Sequence, residues 1–262
     1  MEFCIDNNLK FVTISNAANE AKWPSDSLNQ RLSVSLPKAL VNFYVSHANR
    51  RLTEIQIGQD IKNAKVIMNP FNVEYNNEID YPEVNENYFI ASVARLEFFA
   101  KGQDILLQVL NEKKWRERNL KIKLYGKGEH LYSVNKLVKY FKLDNVIMSG
   151  HIKPSEIWRV NHALILTSRY EGLPLALIEA MLCRRTAIVT NVSGNPEVIL
   201  DNETAFLAKA PTPEFVDEAM ERAWDRRTEW KEIGERACKH IKTIVPEDPV
   251  DSFYRQIVSL EF

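Results

Sequence analysis

Residues 163–182 read ALILTSRYEGLPLALIEAML, and this stretch decides how the chain must fold. An apolar strand over 163–168 leads into a polar loop and then into a second apolar stretch that holds one carboxylate, Glu179. Proline suits the first turn of a helix, where its missing N–H would have no partner. Residues 172–174, Gly-Leu-Pro, therefore predict a helix start, and the whole stretch predicts a strand, a loop and a helix in succession.

The same alternation of short apolar runs and helical patterns extends from Tyr88 to about residue 210. The pattern predicts helices that begin at Gly102 and near Pro154, Pro196 and Thr212. Strands alternating with helices are typical of a parallel sheet covered on both faces. The prediction is an α/β protein with a doubly wound parallel sheet, whose strands are expected at 88–94, 119–126, 145–150, 163–168, 186–190 and 205–208.

The first 72 residues predict a smaller unit of the same kind. Strand patterns occur at 11–15, 42–46 and 65–69, and helical patterns occur at 27–36 and 48–57. Two or three such units are too few for an independent doubly wound domain, which usually takes about 100–150 residues. The sequence therefore predicts a partial second α/β unit, joined to the larger one by a polar, Asn-rich linker over 70–87.

The composition is that of an ordinary globular chain of 262 residues, and it excludes several classes of protein. With 34 basic and 35 acidic side chains, the net charge of −1 argues against a general nucleic-acid binder. No apolar run reaches the ~18–20 residues that a membrane span needs, and no secretory signal is readable. The odd number of cysteines, without C-x-x-C spacing, argues against disulfides or zinc and predicts a cytoplasmic protein.

Two cations follow the first strand of the larger unit. Arg95 comes directly after residues 88–94, and Lys101 lies at the mouth of the helix that Gly102 opens. Ligands of open α/β sheets bind beyond the carboxyl ends of the strands, where helix N-termini also attract anions. The pair is therefore either a site for a polyanion such as a diphosphate or two solvated loop cations.

Two carboxylates frame the deciding helix. Glu179 lies on an otherwise apolar helix surface, about two turns along if the helix starts at residue 172 or 173. Burying a carboxylate without a partner costs several kcal/mol, so Glu179 is expected to have one. A vicinal diol, as in a ribose, offers two hydroxyl donors to one carboxylate, and Glu171 in the loop would meet hydroxyls farther out. The alternative is that Glu179 forms an ion pair with Arg184 or Arg185, while Glu171 is a partner of the helix dipole.

Taken together, these residues resemble the GT-B glycosyltransferases of family 4, the retaining type that uses nucleotide-diphosphate sugars. Residues 193–197, SGNPE, are similar to the family's G-G-x-x-E element, with Ser193 in place of the first glycine. A second departure is Arg184-Arg185-Thr186, where the family often has Gly, Lys or Arg, and Pro. The remaining matches are the E-x7-E pair Glu171 and Glu179, Arg95-Leu96 with Lys101-Gly102, and Gly126-Lys127-Gly128.

The resemblance implies a Rossmann-like donor-binding domain at 73–240, with 1–72 a remnant of the acceptor-side domain. Residues 241–262 would form a C-terminal helix that crosses back to the first part, with Phe253, Tyr254, Ile257 and Val258 at helical spacing. In the implied site, Arg95 and Lys101 neutralise the diphosphate, Glu171 contacts the transferred sugar and Glu179 binds the ribose. The backbone at Gly172, Leu173 and Pro174 lines the phosphates and sugar, and the base lies against Gly126, Gly128 and Ile152.

The resemblance also implies the reaction. No cofactor or metal would be needed, and the donor would be a UDP-, GDP- or ADP-linked sugar transferred to a saccharide or a lipid-linked acceptor. The chain would supply the donor-binding half with a truncated N-terminal domain, and alone it would be inactive or weak. The alternative is a non-catalytic nucleotide-sugar-binding module that needs a separate acceptor-domain polypeptide. No nucleic-acid partner is expected, and membrane contact would be at most peripheral.

The sequence leaves one surface open to two interpretations. The surface either belongs to a solvent-facing helix or forms a patch at a membrane edge, and it contains Trp224, Arg226, Arg227 and Trp230. Trp115, inside the charged run 112–123, is expected to be partly covered.

Overall fold

The computed structural model describes residues 1–260, which fold around two parallel β-sheets. The smaller sheet contains β1 (Thr13–Ser15), β2 (Asn42–Tyr44) and β3 (Ala64–Val66), in that order. The six strands of the larger sheet are β4 (Tyr88–Val93), β5 (Leu120–Tyr125), β6 (Val146–Gly150), β7 (Ala163–Leu166), β8 (Thr186–Thr190) and β9 (Phe206–Ala208). The helices are α1 (Glu2–Asp6), α2 (Asp26–Ser35), α3 (His47–Ile57), α4 (Phe98–Lys101), α5 (Gln103–Leu110), α6 (Lys113–Glu117), α7 (Leu131–Tyr140), α8 (Pro154–Arg159), α9 (Leu175–Leu182), α10 (Pro213–Asp225), α11 (Trp230–Ile241) and α12 (Pro249–Val258).

The strand order of the larger sheet is β6-β5-β4-β7-β8-β9, and every pair is parallel. The chain winds outward from β4 in one direction and from β7 in the other. The loops after β4 and β7 therefore leave the sheet in opposite directions and open a crevice between them. The doubly wound sheet and its six strand positions confirm the sequence prediction.

Two apolar clusters cover the two faces of this sheet. One contains residues of α5, α7 and α10, with Leu106, Val134 and Met220 among its buried members. The other contains residues of α8, α9 and α11. Because both faces are covered, every residue of β7 and β8 is buried, and buried and exposed residues do not alternate along these strands.

The C-terminal helix packs on the smaller sheet. The Phe253 ring of α12 meets the ring of Phe43 in β2 edge-on, with centroids 5.1 Å apart. Ile257 joins the same cluster, whereas Tyr254 and Val258 point to solvent, so only half of the predicted apolar positions are used. The last two residues of the predicted helix, 261 and 262, lie outside the described residues.

The structure corrects two predicted helix starts. Helix α9 begins at Leu175, and Pro174 is its extended N-cap residue rather than part of the first turn. Glu179 is consequently one turn, not two, from the start of the helix. The predicted helix near Pro196 is a single 3-10 turn, Asn195–Glu197, because the chain proceeds at once toward β9.

The segment predicted as a linker, 70–87, has no helix or strand but is packed against the larger unit. Phe71, Val73 and Tyr75 contact the α9 side of the core, and Ile79 is buried in it. A free linker is therefore the wrong description. The segment resembles a linker because it is rich in Pro, Asn and other polar residues. Its alternate apolar side chains, however, pack against the core on the α9 side.

The tryptophan predictions also need correction. Trp115, expected to be partly covered, is buried, and so are Trp224 and Trp230, which lie in one aromatic cluster with Tyr88. Neither a solvent-facing helix nor a membrane-edge patch describes these rings. Within residues 1–260, no helix combines the length and hydrophobicity that crossing a bilayer requires.

Candidate functional site

Two adjoining cavities lie at the crevice between β4 and β7. The larger has a volume of about 770 Å³ and the smaller about 360 Å³. Both are lined by Arg95, an exposed residue that follows β4. A small-molecule site commonly takes about 300–1,000 Å³, so the pair has room for a ligand with two ends and a charged middle.

The larger cavity contains Glu179. This carboxylate is only 4% exposed, and burial raises its pKa above the usual value. Its Oε1 accepts hydrogen bonds from the backbone N–H (2.9 Å) and the side-chain amide (3.0 Å) of Asn72, which act against that rise. In residues 1–260 no arginine or lysine forms an ion pair with Glu179, so the predicted alternative with Arg184 or Arg185 is wrong.

The smaller cavity contains the other predicted acid and a predicted cation in direct contact. The Nζ of Lys101 lies 2.6 Å from Oε2 of Glu171, and the Ser168 hydroxyl donates to Oε1 at 2.7 Å. Glu171 is 6% exposed and Lys101 is half-buried. The sequence placed these side chains in one site but did not predict that they would pair.

The loops that carry this pair are joined by side-chain hydrogen bonds. Arg169, two residues before Glu171, forms a bidentate contact with Asp104 of α5, with Nη1–Oδ1 and Nη2–Oδ2 distances of 2.8 and 2.7 Å. The Thr167 hydroxyl donates to the carbonyl of Gly102, directly after Lys101. These bonds hold the β4 and β7 loops together and fix where Lys101 and Glu171 meet.

The backbone of residues 172–174 lines the smaller cavity, together with Asn16 from the loop after β1. A β-carbon on Gly172 would lie 1.9 Å from the carbonyl oxygen of Asn16, so only glycine fits. The Gly172 carbonyl accepts from the backbone N–H of Gly194 (3.1 Å) and from the side chain of Asn49 (3.0 Å). The smaller unit and the larger sheet therefore meet at this loop.

Of the residues predicted to hold a base, Gly126 and Ile152 line the larger cavity and Gly128 does not. Gly126 has a φ of 142°, which favours glycine, and it lies against the carbonyl of Ala94. Gly128 lies against the backbone of Leu96, where an added β-carbon would come within 2.2 Å. It supports the loop beneath Arg95 and is no part of the cavity wall.

A second contact joins the two units. The carboxylate of Glu197 accepts hydrogen bonds from the backbone N–H groups of His47 (2.9 Å) and Ala48 (2.7 Å), the first residues of α3. An acid at a helix N-terminus satisfies unpaired donors and complements the helix dipole. Glu197 was matched by the family pattern, but nothing in the sequence indicated that α3 would be its partner.

The two departures from the family pattern are accommodated locally. Arg184 adopts a left-handed φ of 58° and Ser193 one of 48°, so both non-glycine residues take a conformation that usually favours glycine. The Ser193 hydroxyl accepts the backbone N–H of Glu171 at 3.1 Å. Close packing at Arg184 comes from Gly234 of α11, where an added β-carbon would lie 2.1 Å from the Arg184 carbonyl oxygen.

One cluster has ligand atoms spaced for a metal: Glu97, Glu129 and His130 place one atom each within 4.8 Å of one another. The Glu97 carboxylate, however, already caps α4 through the backbone N–H groups of residues 99 and 100. His130 Nδ1 accepts the backbone N–H of residue 98 at 3.1 Å. These roles explain the cluster as the cap of a short helix.

Sequence reasoning missed three residues of the site. Asn72 was assigned to a linker, Asn16 follows the predicted strand 11–15, and Ser168 was predicted only as the last residue of the strand 163–168. The position of Asn16 after β1, at the carboxyl end of a strand, was the one usable signal. Asn72 carried none, because an asparagine in a polar, Asn-rich segment is typical of an exposed loop.

Parts of the chain are similar in sequence to known proteins. Residues 76–240 match the profile of the family described as Glycosyl transferases group 1. N-acetyl-alpha-D-glucosaminyl L-malate synthase of Bacillus anthracis is 24% identical over 271 residues, covering 97% of this chain and 68% of that protein. One subunit of phosphatidylinositol N-acetylglucosaminyltransferase from Arabidopsis thaliana is 26% identical over 200 residues, covering 75% of this chain and 44% of that protein.

Solved structures share the fold at low sequence identity. A structure of Staphylococcus aureus TarM with fondaparinux, alpha-GlcNAc-glycerol and UDP has a TM-score of 0.80 at 18% identity, covering 97% of this chain and 51% of TarM. Anabaena HepE in complex with UDP has a TM-score of 0.81 at 16% identity, covering 98% of this chain and 74% of HepE. The chain thus spans between about half and three quarters of these structures.

Proposed function

The chain belongs to the Glycosyl transferases group 1 family, and on that premise we propose that its two cavities bind a nucleotide-diphosphate sugar. The observation that carries the proposal is the position of Arg95 in the walls of both cavities. A diphosphate joins a nucleoside to a sugar in the donor, and a cation between two cavities suits that link. The nucleoside would occupy the larger cavity and the sugar the smaller one.

The cations would act on the leaving group. As the bond from the sugar to the diphosphate breaks, negative charge grows on the phosphate oxygens, and preorganised positive groups stabilise it. Arg95 would supply one such group. Lys101 would supply the second, because an ammonium has three N–H donors and the contact with Glu171 uses one of them.

The acids would recognise hydroxyls. Oε1 of Glu179 accepts both hydrogen bonds from Asn72. Oε2 accepts none from residues 1–260, so it would accept from the ribose diol. Glu171 would accept from a hydroxyl of the transferred sugar in the smaller cavity. Gly126 and Ile152 would pack on the base, and the backbone of residues 172–174 would line the sugar and phosphates.

We further propose that transfer proceeds with retention of the anomeric configuration, as the family 4 pattern implies, onto a saccharide or lipid-linked acceptor. The names of the Bacillus and Arabidopsis relatives both include N-acetylglucosamine, and the TarM and HepE complexes contain UDP. UDP-N-acetylglucosamine is therefore the first donor to test.

A second candidate is a donor-binding subunit that a separate polypeptide completes. One observation favours it: β1 is an edge strand of a sheet of three, and Ile14 of that strand and the nearby Trp23 are about half exposed. A turnover assay separates the two candidates. An enzyme releases UDP from the donor with acceptor present, whereas a binding subunit holds the donor without turnover.

Calorimetric titration tests donor binding. The chain is titrated with UDP, GDP and ADP, with their sugars, and with the matching nucleosides. Arg95→Ala should weaken nucleotide-diphosphate binding by about thirtyfold, the worth of ~2 kcal/mol for a charge-assisted bond, and leave nucleoside binding unchanged. Arg159→Ala, an exposed arginine at the end of α8 outside both cavities, is the control. If no diphosphate binds, or both variants behave alike, the proposal is wrong.

A further inference from the structure

The packed segment between the two sheets reaches into the donor cavity through one residue. Asn72 lines the larger cavity and lies 107 positions before Glu179 in the chain. Its backbone N–H and its side-chain amide both donate to the same oxygen, Oε1. A carboxylate held twice at one oxygen has a fixed rotation and presents its other oxygen in one direction.

We propose that Asn72 is a positioning residue for the donor, holding Glu179 so that Oε2 faces the ribose diol. This inference rests on the proposed function, because it concerns how Glu179 reads the nucleotide. Glu179 is buried and has no cationic partner among residues 1–260, so these two hydrogen bonds are the polar contacts that orient it. A hydrogen bond to a charged acceptor is worth more than a neutral one.

Asn72 is itself fixed by its neighbours. The rings of Phe71 and Tyr75 stack at 6.4 Å, and both pack on the α9 side of the core. Farther along, the Asn77 side chain donates to the carbonyl of Leu182, the last residue of α9, at 3.1 Å. The segment is thus fastened to the helix that carries Glu179, so the two partners keep their relative position.

The test measures ribose recognition rather than affinity alone. The wild type, Asn72→Ala and Asn72→Asp are titrated with UDP and with 2′-deoxy-UDP, or with the GDP or ADP pair if the wild type prefers that base. Aspartate is nearly isosteric with asparagine, but its side chain has no N–H donor and adds a like charge. Asn76→Ala, in the same segment and bonded to Lys242 and Glu247 at the surface, is the matched control.

We expect the wild type and Asn76→Ala to bind the ribonucleotide more tightly than its deoxy analogue. Both Asn72 variants lose the side-chain hydrogen bond and keep the backbone one, so the Glu179 carboxylate can turn about a single bond. The preference should therefore fall by up to about tenfold, toward that of Glu179→Ala, which is the effect of a misaligned charged hydrogen bond. A purely structural role would weaken both nucleotides equally and keep the preference.

An unchanged preference in both Asn72 variants, with a lost preference in Glu179→Ala, overturns this inference and leaves the proposed function intact. A wild type that binds none of UDP, GDP and ADP overturns both.

Discussion

Replacing Arg185 by methionine should destabilise the protein severely. The Arg185 side chain is fully buried, and its guanidinium N–H groups donate to backbone carbonyls from three parts of the chain. Burial lowers its pKa to about 10, and the Tyr81 ring lies 5.1 Å from the guanidinium carbon. The four carbonyls within 3.1 Å are those of Trp158, Asn161, Cys183 and Asp80.

The magnitude follows from what methionine leaves behind. It preserves most of the volume but none of the donors, and each buried carbonyl left without a partner costs at least ~1 kcal/mol. The carbonyls of Trp158, Asn161 and Cys183 are in buried contacts, whereas Asp80 is exposed and its carbonyl can bond to water. The three buried carbonyls give about 3 kcal/mol, a large share of the 5–15 kcal/mol that typically separates folded from unfolded chains. The midpoint of thermal unfolding should fall by on the order of 10 °C.

Urea denaturation and differential scanning calorimetry of Arg185→Met measure this loss. The neighbouring arginine provides the control, because Arg184 donates one hydrogen bond, to the carbonyl of Asn77 at 3.1 Å. Arg184→Met should cost about 1 kcal/mol. Equal effects of the two substitutions, or a loss below ~1 kcal/mol for Arg185→Met, would refute the reasoning.

Three further predictions follow from named contacts. Since the folded-state pKa of Glu179 is raised, the folded chain binds that proton more tightly than the unfolded chain, and stability falls as pH rises from 4.5 toward the folded value. The stability of Glu179→Gln relative to wild type should therefore increase as pH rises above 4.5 in urea titrations, and a difference that stays constant or shrinks would contradict this. Glu197→Ala should lower the unfolding free energy by about 1–2 kcal/mol through loss of the two hydrogen bonds from the first N–H groups of α3, measured by urea denaturation, and no change would show that the contact is dispensable. Burial raises the pKa of the Cys183 thiol to about 12, so a thiol reagent should modify the half-buried Cys4 in the native protein and leave Cys183 unmodified. Mass spectrometry of the digest measures this, and modification of both cysteines at the same rate would contradict the prediction.

Local sequence patterns were sufficient for the larger sheet. Strands β5, β6 and β8 end at or next to Gly126, Gly150 and Asn191, and β8 was predicted with its observed bounds, Thr186–Thr190. Arg95, Lys101 and Glu171 were predicted from their positions after the carboxyl ends of strands, where ligands of open α/β sheets bind, and the structure places them with Glu179 in the walls of the two cavities. Their family spacing strengthened that assignment without specifying their partners.

Tertiary contacts decided the rest. The pairing of Lys101 with Glu171 depends on two loops 70 residues apart, and no local pattern encodes that distance. The burial of Arg185 depends on carbonyls that three separate segments bring together, so the sequence indicated only a possible ion pair with Glu179. Asn72 shows the same limit, because its contact with Glu179 forms only when the segment 70–87 packs on the larger unit.

The contact between the two units at Gly172 has a consequence for protein engineering. There the main chain of one unit touches the main chain of the other, and a methyl group would already collide with the Asn16 carbonyl. A chimera that joins residues 1–72 to the larger sheet of a relative must therefore keep this glycine and the path of the opposing loop. A library that varies the walls of the two cavities must likewise keep the codon for Gly172 fixed.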